Sequence, residues 1–147
     1  VIPVEQRELF DAEAGTVGDC WRCCIASILE LPYEAVPHFV ANEVRGESDS
    51  YWNDTQEFLR EQRFVLASFA LWGTNTPFLR FGIEEPRFHF TAPGHWIAAV
   101  KSPRFIEDGE PGSHVVVMNG SSIVYDPHPQ RDDGHLGFTD AYLLVST

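Results

Sequence analysis

Three residues of this chain supply the parts of an activated thiol: Cys20, His114 and Asp126. Cys20 follows Gly18-Asp19 and opens the stretch Cys20-Trp21-Arg22-Cys23-Cys24-Ile25-Ala26-Ser27-Ile28-Leu29. A cysteine attacks as its thiolate, which a helix N-terminus and a neighbouring imidazolium both favour. His114 leads Val115-Val116-Val117-Met118, and Asp126 ends Ile123-Val124-Tyr125-Asp126 ahead of Pro127. With Asn119-Gly120 as turn residues, the spacing predicts a hairpin that brings His114 and Asp126 to the same end of adjacent strands. There the imidazole N–H donates to the carboxylate, which fixes tautomer and orientation. Cys24 falls on the apolar stripe of the helix and is expected in the core. Asp126 is also an ordinary Asp-Pro turn residue, and the two roles are compatible.

Acyl chemistry at a thiol also needs donors for the developing oxyanion. The backbone N–H of Cys20 is one candidate, and Gln6, at the end of the extended Ile2-Pro3-Val4-Glu5 stretch, is the plausible side-chain amide. His95, in Pro93-Gly94-His95-Trp96, is the rival base. It has no acid at a comparable place on a neighbouring strand, so it is expected at the cleft wall or against substrate rather than in the chemistry.

The elements that must position these groups follow from periodicity. Residues 1–19 form an extended lead-in punctuated by Pro3, Gly15 and Gly18. A helix is expected from about Cys20 to Glu30, with Trp21, Cys24, Ile25, Ile28 and Leu29 as its buried stripe, Asp19 as N-cap and Leu31-Pro32 as stop. A shorter helical piece covers about Tyr33–Val44, with Pro37 in its first turn or a bend. A third helix spans 51–63, with Trp52, Thr55, Phe58 and Leu59 on one face and Asp54, Glu57 and Glu61 in solvent. Strands are expected at 64–71, 95–100, 113–118, 122–126 and 141–145, and residues 72–93 read mainly as loop. Helices first and strands later give an α+β class, with the helices packed on one antiparallel sheet.

The 147 residues form one expected domain, 1–147, long enough to bury a core, and 44% hydrophobic with 13% aromatic content is a globular composition. Ten Lys and Arg against 22 Asp and Glu leave a formal charge of −12. Such a surface is poorly suited to phosphate backbones or anionic lipid, so no nucleic-acid or membrane partner is expected. No apolar run reaches the roughly 18 residues of a membrane span, and the first residues lack a signal-peptide pattern. Three cysteines confined to positions 20–24 are no disulfide framework. Reduced thiols and a cytoplasmic setting are expected.

Gly18-Asp19-Cys20, the helix ending Leu29-Glu30-Leu31-Pro32, Val36-Pro37-His38-Phe39, Ser113-His114-Val115-Val116-Val117 and Tyr125-Asp126-Pro127-His128-Pro129 occur in an order that resembles papain-like cysteine peptidases. The likeness is to the bacteriocin-leader-processing type, found also as small stand-alone bacterial and bacteriophage proteins. It covers nearly the whole chain, least so residues 64–93. It implies a papain-like fold, Cys20 as nucleophile, His114 as general base, Asp126 as orienting acid and an upstream glutamine, matched by Gln6. It implies hydrolysis of an amide, peptide or isopeptide bond in a peptide or protein through a thioester, or acyl transfer, with no cofactor and no metal. Two positions depart from the pattern. Asp19 stands where an uncharged residue is expected, and Gln6 lies unusually far upstream.

Three other readings compete. Cys20-x-x-Cys23 also fits a thiol-disulfide oxidoreductase, although the loop-like Glu13–Gly18 stretch replaces the strand that such a motif follows. The cysteines with His128 or His135 supply part of a zinc tetrahedron. An inactive papain-like binding module would keep the fold without the chemistry. His128 and Pro129 are otherwise expected to shape the loop after the hairpin.

Overall fold

The computed structural model describes residues 1–71, 92, 94–107, 109–130 and 135–147, with the side chains of 105 and 107 left aside. The expected loop over 72–93 therefore lies, apart from residue 92, outside the described residues. Helix α1 is Cys20–Leu29, followed by a short 3-10 turn at Tyr33–Ala35, α2 at Phe39–Val44 and α3 at Tyr51–Glu61. Strands β1 (Phe64–Ala70), β2 (His95–Glu107), β3 (Glu110–Asn119), β4 (Ser122–Tyr125) and β5 (Gly137–Ser146) form one sheet in the order β1-β5-β2-β3-β4. Every pairing is antiparallel. This is the α+β arrangement expected, with Cys20 at the start of the first helix.

Helix α1 is buried more completely than an amphipathic stripe requires. Trp21 through Ser27 are buried without a break except at Arg22, because the sheet covers one side and the extended lead-in and later helices cover the others. It ends where Leu31 N–H donates to Ala26 O at 3.0 Å and Pro32 follows. The expected Tyr33–Val44 helix is divided. Pro37 forbids continuous helix, and His38 restarts it by accepting from Ala41 N–H through its ring at 3.3 Å. Ser50 caps α3 through its hydroxyl. Gln56 then fixes α3 to β1 by exchanging two hydrogen bonds with the backbone of Leu66, at 3.0 and 3.3 Å.

Side-chain alternation divides the sheet between two cores. Ile97, Ala99, Val115, Val117 and Leu66 pack with α1, α2 and α3 residues, whereas Trp96, Ala98, Val100, Val116, Met118 and Ala141 pack with Leu71 and Ala92. Burial on both faces explains the continuous apolar runs of β2 and β3. The hairpin turns one residue later than expected. Asn119 pairs with Ser122, so Gly120 and Ser121 form the loop, and Gly120 takes φ +56 as the first position of a II′ turn requires. Strand β3 also begins earlier than expected, which makes His114 an interior residue of its strand rather than its opening one. Among the described residues, no helix is long and apolar enough to cross a membrane.

Candidate active site

Helix α1 is pinned to β3 one turn beyond Cys20. The Cys24 thiol donates to Val115 O at 3.5 Å, and Val115 is the residue after His114. This contact sets the N-terminal part of α1 against β3 beside His114. His114 and Cys20 there line the same cleft, close enough for the thiol to act on the imidazole. Cys20 is half-buried, unpaired and in the wall of a cleft of about 700 Å³ that His114 and Gln6 also line. Trp21, Val40, Tyr51 and Tyr142 give this cleft an apolar side, with Trp21 and Tyr142 edge to face at 5.0 Å between centroids.

Asp126 follows directly on the last residue of β4, accepts from three donors and has His135 as a further close neighbour. His114 Nε2 lies 2.7 Å and the His128 backbone N–H 2.9 Å from Oδ1. Arg104 Nη2 lies 2.8 Å and His135 Nε2 3.4 Å from Oδ2. With Nε2 donating to a carboxylate, the Nδ1 side of the His114 ring is left for Cys20. Burial pushes His114 down, but the hydrogen bond to Asp126 and the influence of the neighbouring Cys20 prevail and hold it up at about 9. Burial pushes Asp126 up, and the bonds from His114 and His135 outweigh it, leaving the carboxyl well below the usual range. An imidazolium beside a permanently ionised acid is thus the favoured state at neutral pH.

Gln6 reaches the same place by an unexpected route. The lead-in runs antiparallel along α1: Ile2 N–H donates to Ser27 O at 3.1 Å and Val4 N–H to Ser27 Oγ at 3.0 Å. Residues 9–18 then double back through a turn in which Asp11 and Thr16 exchange backbone bonds at 3.2 and 3.0 Å. This excursion accounts for the long spacing between Gln6 and Cys20. Gln6 is buried, and its Nε2 donates one hydrogen bond to Glu8 O at 3.3 Å. An amide has two such hydrogens. Gly18 keeps the approach open, since a Cβ there would stand 3.3 Å from Phe10 N and 3.5 Å from Gln6 Nε2.

Asp19 is not the side-chain N-cap that its position implied. Its backbone carbonyl accepts from Cys23 N–H at 3.0 Å, but its carboxylate turns away from the helix. Oδ2 accepts from Arg7 N–H at 3.2 Å, Glu8 N–H at 3.3 Å and Tyr33 OH at 2.6 Å. Three donors compete for this fully buried group, and two of them, the Arg7 and Glu8 N–H groups, belong to the segment that carries Gln6. Asp19 is therefore a clamp on the lead-in. The Tyr33 ring beneath lies between the guanidinium groups of Arg7 and Arg22, at 3.9 and 3.8 Å.

His95 does not reach this cleft edge. In the β2–β3 register it pairs with Asn119, whereas His114 pairs with Val100. Five residues of strand separate the two positions, roughly 17 Å at 3.4 Å per residue. His95 is exposed and acts electrostatically on Glu30, at the far end of α1 from Cys20.

Cys23 and Cys24 are fully buried. Burial, then the Asp19 charge, pushes the Cys23 thiol up, and burial does the same to Cys24. Neither is suited to act as an attacking thiolate. Among the described residues, no group of three His, Cys, Asp or Glu side chains could hold a metal ion.

The sequence reading missed Arg104 and the placement of His135 and His128. The β2–β3 register shifts between Ser102 and Ile106, so residues 103–105 leave the ladder and Arg104 turns inward. Pro103 inside a strand was the available signal for such a bulge. His128 shapes its loop as expected, accepting from Gln130 N–H at 3.0 Å, but it also lines the cleft, with its ring edge-on to His114 at 6.1 Å. His135 stacks on His114 at 6.2 Å, and no local pattern in the sequence announces it.

The chain matches no family model, no curated protein and no solved structure.

Proposed function

We propose that this protein is a papain-like cysteine peptidase, a thiol hydrolase that cleaves an amide, peptide or isopeptide bond in a peptide or protein. The observation that carries the reading is the His114 ring, which bonds to Asp126 through Nε2 at 2.7 Å and partners Cys20 in the wall of the cleft. Cys20 attacks the carbonyl carbon as thiolate. The negative charge that gathers on the carbonyl oxygen is met by the Cys20 N–H, one of the helix donors without an intrahelical partner, and by the Gln6 amide. His114 gives its proton to the departing amine, and a thioester remains on Cys20. Water then attacks the thioester carbon while His114 accepts its proton, and the acid leaves with the Cys20 thiolate restored beside protonated His114. An amine in place of water gives acyl transfer by the same route.

Asp126 holds the imidazole and stabilises its charged form without taking the proton. The three unpaired cysteines suit the reducing cytoplasm, and the net charge of −12 does not favour a nucleic-acid or anionic-lipid partner. Buried Cys23 disfavours the oxidoreductase reading. The test is reaction with a peptide-based thiol electrophile, followed by mass mapping of the adduct. Rapid, exclusive modification of Cys20 that depends on His114 supports the peptidase. Slow modification at the rate of a free thiol makes the domain an inactive binding module.

A further inference from the structure

The geometry points to Arg104 as a positioning residue that holds Asp126 Oδ2 so that Oδ1 stays turned on His114 Nε2; this rests on the thiol-hydrolase reading above. Asp126 needs such a holder because of where the fold puts it. It directly follows β4, an edge strand of only four residues, and its side chain has two free torsions. A His114 bond alone leaves rotation about that bond unopposed.

Arg104 supplies the opposing contact from the far side of β3. Strand β2 is two positions from β4 in the sheet, and the irregularity at 103–105 releases Arg104 from the ladder. Its N–H donates to Ser102 Oγ at 3.3 Å, which helps to shape the bulge. Nη2 then meets Oδ2 at 2.8 Å, with both side chains 5% exposed. A short charge-assisted bond in so dry a place has strong directional preference. His135 Nε2, at 3.4 Å, is a weaker second partner on the same oxygen. The carboxylate is thereby divided between its two oxygens. One is held by Arg104 and His135, and the other faces His114 and the His128 N–H. Among the described residues, further titratable neighbours are Cys20, across the His114 ring, Cys24, whose field reaches Asp126, and the His128 ring, which feels both Arg104 and Asp126.

Arg104 also lines the cleft, so its role must be separated from substrate contact and from simple support of the fold. Two readouts need no substrate: the rate of Cys20 alkylation by iodoacetamide, and the downfield proton NMR resonance of the His114 Nε2–H bonded to Asp126. Arg104→Met should slow alkylation roughly tenfold to a hundredfold, as a misplacement of about 1 Å does, and should lose the downfield resonance. Arg104→Lys, which can still donate to Oδ2, should retain the resonance and recover most of the rate. In an Asp126→Asn background, Arg104→Met should add no further loss, because residues that act through one another are non-additive. That double variant removes both charges together and so avoids an unpaired buried ion.

Equal losses from Arg104→Met in the two backgrounds overturn the assignment, as does a resonance that survives in Arg104→Met. A parent protein whose Cys20 alkylates no faster than a free thiol instead sinks the hydrolase reading, while the NMR arm still decides whether Arg104 orients Asp126.

Discussion

The backbone N–H of Gln6 donates to the carbonyl oxygen of Pro127 at 2.9 Å. One hydrogen bond thus joins the segment that carries the candidate oxyanion donor to the residue after Asp126. Further bonds hold the lead-in to Ser27 on α1 and to Asp19 at the helix start. Gln6 is consequently fixed relative to the acid as well as to the thiol. Its part in the chemistry separates cleanly from thiol activation. Gln6→Ala should lower kcat for thioester formation by about 10²- to 10³-fold, the range for loss of one oxyanion donor. Alkylation of Cys20 by iodoacetamide should stay near the parent rate, because no oxyanion forms in that reaction. An equal fall in both rates would assign Gln6 to the support of Cys20 instead.

Asp19 should act through the same segment. Asp19→Ala strips the acceptor from Arg7 N–H, Glu8 N–H and Tyr33 OH. At about 1–3 kcal/mol for each buried group left unsatisfied, allowing for partial relaxation, the expected destabilisation is roughly 2–5 kcal/mol. Asp19→Asn keeps one carbonyl acceptor and should lose less. Urea unfolding midpoints rank the three proteins, and a neutral Asp19→Ala would refute the clamp.

The two histidines give opposite expectations. His114→Ala should reduce Cys20 acylation by several powers of ten, on the scale of triad deletions. His95→Ala should leave acylation unchanged, since His95 is exposed at the other end of β2. Timed mass spectrometry with a peptide electrophile measures both.

The pH dependence follows from the raised His114 value. Protonated His114 must supply the leaving group's proton, so turnover should fall as pH rises through about 9. The folded value lies above the ordinary 6.5, so folding favours the proton. The stabilisation from charged His114 is then fully present below about 6.5 and is lost as pH rises through about 9. Asp126 has the opposite sign. Its folded value is depressed, so its contribution is present above the ordinary 3.8 and disappears only in stronger acid, as pH falls through the folded value. Unfolding free energies of the parent and His114→Asn should converge between pH 6.5 and 9. A difference that grows with pH would mean that His114 is neutral in the folded protein.

Selective labelling checks the assignment of the thiols. Iodoacetamide at neutral pH should modify Cys20 alone, and Cys23→Ser should retain the parent labelling rate. Cys23 and Cys24 are fully buried, and burial opposes their ionisation. A reversible Cys20–Cys23 disulfide with a defined redox midpoint would count for the oxidoreductase.

Much of the frame was legible in the sequence, because periodicity and punctuation are local. The i, i+3, i+4 apolar positions after Gly18-Asp19 and the Leu31-Pro32 stop located α1 within a residue. The apolar runs beside Asn119-Gly120 located the hairpin, and the twelve-residue spacing of His114 and Asp126 proved short enough for direct contact. Position in the helical pattern also separated Cys20, at a helix start, from Cys24, on its buried stripe.

What local pattern could not carry was decided by the fold. Asp19 has the composition of an N-cap, but three donors brought by residues 7, 8 and 33 outcompete the helix end for its carboxylate. His95 and His114 both stand next to apolar strand residues. Only antiparallel register puts one near Glu30 and the other beside Cys20. Arg104 is 22 positions from Asp126 and lies beyond the strand expected at 95–100, and only the longer observed strand with its bulge turns it inward. Local sequence sets which backbone an element adopts, because sterics and burial act over a few residues. The partner of a buried charge is set by desolvation, which is strong only after distant strands have closed around it.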